Sequence, residues 1–189
     1  VLTALARSQA HRLVIDIGGG STEVVVGKNH KPLLAESLPI GSVAWRDRFF
    51  SAGACSEAEL ASQMSEGSEG AFSVFSAIAS GIVSVGWEEA CASSGTVKML
   101  ANICERYGCE PRQVELATLL RHKQEMVNSI CFGQELPGLK ERRRDLLLPG
   151  WSIMVGLMKA YGIKKIHFSP AALREGMLDI MLKNGKPLQ

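Results

Sequence analysis

Two carboxylates flank three consecutive glycines near the start of the chain, in the segment VIDIGGGSTEVVV at residues 14–26. Asp16 precedes Gly18–Gly20, and Glu23 follows them. Glycine turns a hairpin readily because it adopts positive φ without steric cost, but one or two glycines suffice for that purpose. Three in a row also allow successive backbone N–H groups to converge on one anion, such as a phosphate.

The polar residues beside these glycines indicate a further hydrogen-bond donor for the phosphate and a cation bound next to it. A hydroxyl from Ser21 or Thr22 adds a further hydrogen-bond donor. Asp16 ends an apolar run, and its carboxylate would repel a phosphate unless a divalent cation lay between them. Carboxylate and phosphate oxygens are ligands that Mg²⁺ prefers. We therefore predict a site for phosphate and Mg²⁺, or another divalent cation, at this turn.

A second turn of this kind, ASSGTVK at residues 92–98, lies where a predicted strand meets a predicted helix. Backbone N–H groups at a helix N-terminus favour an anion, and Ser94, Gly95 and Thr96 supply them here. Lys98 either contacts a phosphate bound at this turn or is simply exposed. An ordinary helix cap explains the turn taken alone. Two such turns in one small domain favour phosphate chemistry.

The composition excludes several classes of protein. Of 189 residues, 46% are hydrophobic and 21% are charged, which is typical of a globular domain. A net charge of +2 does not indicate nucleic-acid binding, and we interpret the basic cluster Lys140–Arg144 as a solvated helix start that a polyanion could also use. The five cysteines form no C-x-x-C pair, so reduced thiols and a cytoplasmic location are expected. Neither a signal peptide nor a membrane span is predicted.

Hydrophobic periodicity predicts a mixed sheet with helices packed against it. Three strands with hairpin-length connections come first, and strands then alternate with helices. The predicted strands are Leu13–Ile17, Glu23–Gly27, Pro32–Ser37, Glu89–Ala92 and Lys164–Phe168. The predicted helices are the end of one in residues 1–10, then Ala44–Phe50, a helix from the capping box at Ser56 to Ile82, Val97–Tyr107, Gln113–Ile130, Leu146–Tyr161 and Leu173–Leu182.

Four motifs occur in an order that resembles one family: DIGGGSTE, GSV at residues 41–43, SSGT, and ALREG at residues 172–176. The order is similar to that of the exopolyphosphatase and guanosine pentaphosphate phosphohydrolase family, and the chain resembles the second actin-like half of its catalytic core. DIGGGS alone would also suit sugar kinases and chaperone ATPases. The resemblance implies an α/β, ribonuclease H-like (actin-like ATPase) fold, in which a mixed sheet of strand order 3-2-1-4-5 has helices on both faces.

The resemblance, together with the two turns, also implies roles for individual residues. Asp16 and Glu23 are the implied catalytic residues and metal ligands. Ala172 stands where the family has a glycine, so a close backbone approach to a ligand is not expected there. The implied phosphate-binding residues are Gly18, Gly19, Gly20, Ser21, Ser94, Gly95, Thr96, Lys98 and Arg174, although Arg174 could equally form an ion pair with its neighbour Glu175.

The resemblance further implies that half of the active cleft lies outside this chain. Residues 1–12 are expected to be the end of an inter-domain helix or linker from a missing N-terminal domain, and residues 13–189 the second actin-like domain. The family's first domain carries another phosphate loop, D-x-G-S-N-S, and a glutamate that activates water. Neither this loop nor a segment that would carry this glutamate occurs in these 189 residues, so we expect this chain alone to be inactive or nearly so.

The expected activity is that of an exopolyphosphatase, which releases terminal phosphates by processive hydrolysis of the phosphoanhydride bonds of inorganic polyphosphate. The alternatives are hydrolysis of guanosine pentaphosphate, an ATP-dependent kinase or chaperone-type activity, and a non-catalytic scaffold or dimerisation module. The SSGT and LREG motifs favour a hydrolase. The expected partners are the substrate, the protein's own N-terminal domain and a second copy in a homodimer.

Overall fold

The computed structural model describes residues 10–28, 31–50 and 56–170, and a six-stranded sheet lies at its centre. The strands are β1 (Arg12–Ile17), β2 (Thr22–Lys28), β3 (Lys31–Leu38), β4 (Glu89–Ser93), β5 (Gln113–Glu115) and β6 (Lys165–Phe168). The α-helices are α1 (Ser42–Phe49), α2 (Glu57–Val85), α3 (Gly95–Arg106), α4 (Leu116–Arg121), α5 (Lys123–Phe132) and α6 (Leu147–Ala160), and a 3-10 helix spans Glu141–Leu146.

The sheet is mixed, and its strands follow the order β3-β2-β1-β4-β6-β5. The three N-terminal strands pair antiparallel, β4 runs parallel to β1, and β6 runs parallel to β4. The five predicted strands correspond to β1, β2, β3, β4 and β6, and their predicted order is confirmed.

The side chains of strand β1 point alternately to the two faces of the sheet. Leu13, Ile15 and Ile17 are buried in the main hydrophobic core, which also contains residues of α2, α3 and α6. Because side chains alternate along a strand, Val14 and Asp16 lie on the opposite face. The predicted carboxylate site therefore lies on the face away from this core.

Helices α2 and α6 cross at a glycine. Helix α2 begins at the predicted capping box, in which the backbone N–H of Glu59 donates to Ser56 Oγ and the N–H of Ser56 donates to the Glu59 carboxylate. In α6, a Cβ added to Gly156 would lie 2.5 Å from Cβ of Ala71 and 2.6 Å from the backbone N of Phe72. The absence of a side chain at Gly156 thus sets how closely the two helices pack.

The predicted helix Gln113–Ile130 is wrong over its first residues. Gln113–Glu115 forms the edge strand β5, which pairs antiparallel with β6. Val114 is fully buried, and Lys165 Nζ lies 2.6 Å from Glu115 Oε1. Pairing with a strand distant in sequence therefore overrides the local helical pattern.

The predicted closing helix Leu173–Leu182 lies outside the described residues, and so does the predicted helix end in residues 1–10 except for Ala10. By length and composition α2 is the one described helix that could cross a membrane, but a single such helix is weak evidence because core helices meet the same criteria. Its residues Met64, Phe75 and Ile82 are fully buried in the core. The expectation of no membrane span stays a prediction.

Candidate phosphate and cation site

The two glycine-bearing turns leave the sheet at the same edge. Strands β1 and β4 are parallel neighbours, with Asp16 opposite Ser93. The loop Gly18–Ser21 follows β1, and the turn at Ser94 and Gly95 follows β4. Since ligands of open α/β sheets bind outside the carboxyl ends of parallel strands, this edge is where a site is expected. The fold brings together the two turns that the sequence singles out.

Asp16 and Glu23 lie side by side on one face of the sheet. They are directly opposite in the antiparallel register of β1 and β2. The Cβ atoms of such a pair are about 5 Å apart, and two like charges at that separation repel. A cation that both carboxylates contact would remove this repulsion, which agrees with the predicted metal site.

Two serine hydroxyls orient the Glu23 carboxylate. Ser21 Oγ donates to Glu23 Oε1 at 2.6 Å, and Ser37 Oγ donates to the same atom at 3.2 Å. Ser37 lies on β3 directly opposite Glu23, a position that the sequence analysis did not single out. Only the strand register reveals it. The Ser21 hydroxyl, expected to bind phosphate, donates its hydrogen bond to the Glu23 carboxylate.

The first backbone N–H groups of helix α1 hold the glycine loop by donating hydrogen bonds to its carbonyl groups. The backbone N–H of Ser42 donates to Gly18 O at 2.9 Å, and the N–H groups of Val43 and Ala44 donate to Gly19 O at 2.9 and 3.0 Å. These bonds satisfy the first amides of α1, which have no partner inside the helix.

Gly41 allows this close approach of helix and loop. A Cβ at Gly41 would overlap the carbonyl group of Gly19 and the backbone N of Gly20. The sequence GSV at residues 41–43 therefore has a physical role, which is to seat the glycine loop on the helix N-terminus.

The tip of the glycine loop presents free amides. Gly18 N–H donates to Ser21 O at 2.8 Å and closes the turn. Gly19 and Gly20 are exposed, and neither amide donates a hydrogen bond within the described residues. These two N–H groups are the loop's available donors for an anion.

The second turn is held in an unusual backbone conformation. Ser94 has φ of 119°, which is rare for a residue other than glycine, and its Oγ accepts from the N–H of Val97 at 3.3 Å. Thr96 is buried, with its methyl group packed toward Gly150 of α6, so it offers a backbone amide rather than an exposed hydroxyl. Lys98 is exposed on the first turn of α3.

A basic cleft continues from this second turn. The guanidinium of Arg143 lies so close to Gly95 that a Cβ on the glycine would overlap it. Lys98, Lys140 and Arg142 line the same cleft. Three cations of the cluster at residues 140–144 therefore line a cleft beside the turn at Ser94 and Gly95, in addition to lying at the start of a helix.

Ion pairs fix the position of the 3-10 helix that carries these cations. Arg46 of α1 pairs with Asp145 at 2.8 Å, which joins this helix to the helix that holds the glycine loop. Arg144 turns away from the cleft, because it pairs with Glu141 at 3.1 Å and donates to Ser129 O. Lys140, Arg142 and Arg143 are the members of the cluster that line the cleft.

The donor set at the sheet edge fits Mg²⁺. Among the described residues no group of three or more His, Cys, Asp or Glu side chains could hold a metal, so a dedicated protein cage is absent from this part of the chain. Mg²⁺ commonly keeps several waters and is bound by one or two carboxylates together with phosphate oxygens. Asp16 and Glu23 beside a phosphate loop match that description. Ala172 and Arg174 lie outside the described residues.

Comparison with known proteins identifies the family. A model of the Ppx/GppA phosphatase family matches residues 1–185. The chain belongs to this family. It is 37% identical over 175 residues to the guanosine-5'-triphosphate,3'-diphosphate pyrophosphatase of Pseudoalteromonas translucida, a match that covers 90% of this chain and 34% of the relative. The chain thus spans about a third of that relative's length.

Solved structures confirm the fold. An exopolyphosphatase from Cytophaga hutchinsonii superposes with a TM-score of 0.72 at 23% identity, over 97% of this chain and 60% of that one. The Ppx/GppA family member of Aquifex aeolicus gives 0.69 at 22% identity, over 96% and 60% of the two chains. The predicted actin-like, ribonuclease H-like fold is therefore confirmed for this Ppx/GppA domain.

Proposed function

We propose that this chain is one half of the catalytic core of an enzyme that hydrolyses terminal phosphoanhydride bonds of inorganic polyphosphate with Mg²⁺. One observation carries the proposal: Asp16 and Glu23 are paired in register beside a loop whose Gly19 and Gly20 amides donate no hydrogen bond to any described residue. Carboxylates and amides at one sheet edge suit a cation and a phosphate bound next to each other.

Each group has a defined task in this proposal. The amides of Gly19 and Gly20 donate to the oxygens of the terminal phosphate and orient it. Asp16 and Glu23 would hold Mg²⁺, which would supply charge neutralisation at the phosphate oxygens. Ser21 and Ser37 both donate to Oε1 of Glu23 and so hold its carboxylate in one orientation, which would suit contact with the cation or with the attacking water. Phosphoryl transfer depends mainly on such positioning and charge neutralisation.

The basic cleft gives the rest of the substrate a place to bind. Arg143, Arg142, Lys98 and Lys140 line it, and none of its described lining residues is acidic. Several cations in one cleft attract a polyanion. The cleft begins at the turn that follows β4, and the glycine loop follows its parallel neighbour β1. This proximity supports a substrate with several phosphates.

Guanosine pentaphosphate is the second candidate substrate. The Pseudoalteromonas relative is named for a guanosine substrate and shares 37% of the aligned residues. The phosphate groups of such a nucleotide would use the same loop and cleft.

The test is phosphate release by the full-length protein that contains this chain. It is incubated with long-chain polyphosphate, with guanosine pentaphosphate and with ATP, each with Mg²⁺ and with excess chelator. We expect Mg²⁺-dependent release from polyphosphate that exceeds release from the other two. Faster release from guanosine pentaphosphate would favour the second candidate, and release from ATP alone would contradict the proposal. We also propose that the full-length protein is a homodimer and that it lies in the cytoplasm. Light scattering measures the oligomeric state, and cell fractionation measures the location.

A further inference from the structure

Ser93 carries a buried hydroxyl to which no described residue hydrogen-bonds. It is the last residue of β4 and is 1% exposed. Within the described structure its Oγ has no hydrogen-bond partner. Buried hydroxyl groups are normally paired, because an unmade hydrogen bond is costly in the interior. An orphaned hydroxyl at the edge of a candidate site indicates a missing partner.

The strand register places this hydroxyl beside the proposed cation. Ser93 is directly opposite Asp16 in the parallel pair β1–β4, so both side chains lie on the same face of the sheet, on strands about 4.8 Å apart. Glu23 is opposite Asp16 on the other side, and Ser37 is opposite Glu23. Ser37, Glu23, Asp16 and Ser93 therefore form one polar row across four strands.

The residues behind this row are apolar. On the same face, two positions further from the edge, Val25, Val14 and Cys91 are opposite one another. Val14 and Cys91 are buried. The polar row is thus confined to the sheet edge where the glycine loop and the second turn meet. Ser93 completes it at the end closest to the basic cleft.

We propose that Ser93 is a positioning residue for the cation, and that its hydroxyl hydrogen-bonds a water molecule bound to Mg²⁺ at Asp16. This inference rests on the proposed function. Mg²⁺ retains several of its waters when it is bound by one or two carboxylates, so such a water needs a second partner on the protein. The Ser93 hydroxyl can both donate and accept, and it has no hydrogen-bond partner among the described residues.

Ser93→Ala separates this role from a structural one, with Ser129→Ala as the matched control. Ser129 Oγ is likewise buried without a hydrogen-bond partner in the described part of the chain, but it lies on α5. Removal of an unpaired buried hydroxyl is nearly neutral or stabilising for the metal-free protein. We expect neither variant to lower the unfolding temperature in the presence of chelator.

The readout is the dissociation constant of Mn²⁺, used as the probe and measured by electron paramagnetic resonance on the full-length protein with inorganic phosphate present. Ser93→Ala should raise this constant about three- to ten-fold, which is the loss expected for one hydrogen bond. Ser129→Ala should leave it unchanged. In turnover assays Ser93→Ala should raise the half-saturating Mg²⁺ concentration by a similar factor.

Two results would overturn this inference while the proposed function stands. One is an unchanged dissociation constant in Ser93→Ala, and the other is a loss of metal-free stability in that variant. If wild-type protein hydrolyses polyphosphate but binds no Mn²⁺, the proposed cation site fails together with this inference. If it binds Mn²⁺ and Ser93→Ala weakens binding but no phosphate is released, only the proposed hydrolysis fails.

Discussion

Arg143 and Arg144 are neighbours in the sequence, but their surroundings differ. Arg143 lies against Gly95 in the basic cleft, whereas Arg144 pairs with Glu141 and donates to Ser129 O. At the scale of single residues, the structure therefore assigns one arginine to the cleft and the other to the packing of the 3-10 helix. The sequence offers no basis for choosing between them.

We predict that alanine substitutions of Arg143 and Arg144 change different properties of the protein. Arg143→Ala should raise the KM for polyphosphate about ten-fold or more, since a hydrogen bond to a charged group is lost, and should leave the unfolding temperature within error. Arg144→Ala should lower the unfolding temperature and change the KM by less than two-fold. Steady-state kinetics and thermal unfolding of the full-length variants give both quantities. Equal effects of the two variants on KM would contradict the assignment.

The glycine loop shows how much of the site the sequence reveals. The residue types of Asp16, Gly18–Gly20 and Glu23 indicate a phosphate and a cation before any fold is known. Ser37 and Ser93 could not be predicted, because serine is common and their significance comes only from strand register. Arg143 was visible as part of a basic cluster, but its contact with Gly95 depends on tertiary packing.

At the scale of elements, local signals predict most of the fold. The capping box at Ser56 and Glu59 and the apolar runs of β1 and β2 locate their elements well. The three-residue strand β5 is too short to show an alternating pattern, and it exists because β6 offers a partner. Elements stabilised by long-range pairing are those that the sequence pattern misses.

The crossing of α2 and α6 gives a prediction at this scale. Gly156→Ala should destabilise the protein by about 1–3 kcal/mol, because the new methyl group meets Ala71 and the backbone of Phe72. Gly81→Ala is the matched control within a helix. Its added Cβ would lie 3.4 Å from Leu34, an ordinary contact, and alanine favours a helix by about 0.5–1 kcal/mol over glycine.

Urea unfolding of the two variants measures both changes. A stability of Gly156→Ala equal to that of wild type would show that α2 and α6 separate at no cost, contrary to the close packing described above.

At the scale of the whole molecule, the chain spans about a third of the length of the Pseudoalteromonas relative. In the proposed function, two carboxylates, two loop amides and a basic cleft bind a cation and a phosphate. The D-x-G-S-N-S motif that the family resemblance implies does not occur in these 189 residues. Positioning from two sides contributes much of the catalysis in phosphoryl transfer.

We therefore predict that the 189-residue chain alone binds polyphosphate but releases phosphate far more slowly than the full-length protein. Binding is measured by gel retardation of labelled polyphosphate, and turnover by a phosphate assay at equal molar concentration. Comparable turnover by the two proteins would show that this chain contains a complete active site.

The central claim is that Asp16 and Glu23 hold the cation, and Mg²⁺ titration of turnover tests it most directly. Asp16→Asn and Glu23→Gln are made in the full-length protein, and Glu66→Gln is the matched control. The Glu66 carboxylate also accepts a hydrogen bond from a serine, Ser62 Oγ at 2.9 Å, but it lies on α2. We predict that the two site variants lose about 10²–10⁴ in rate and require more Mg²⁺ for half-maximal turnover, while Glu66→Gln behaves as wild type. Unchanged rates and unchanged Mg²⁺ dependence in both site variants would contradict the account.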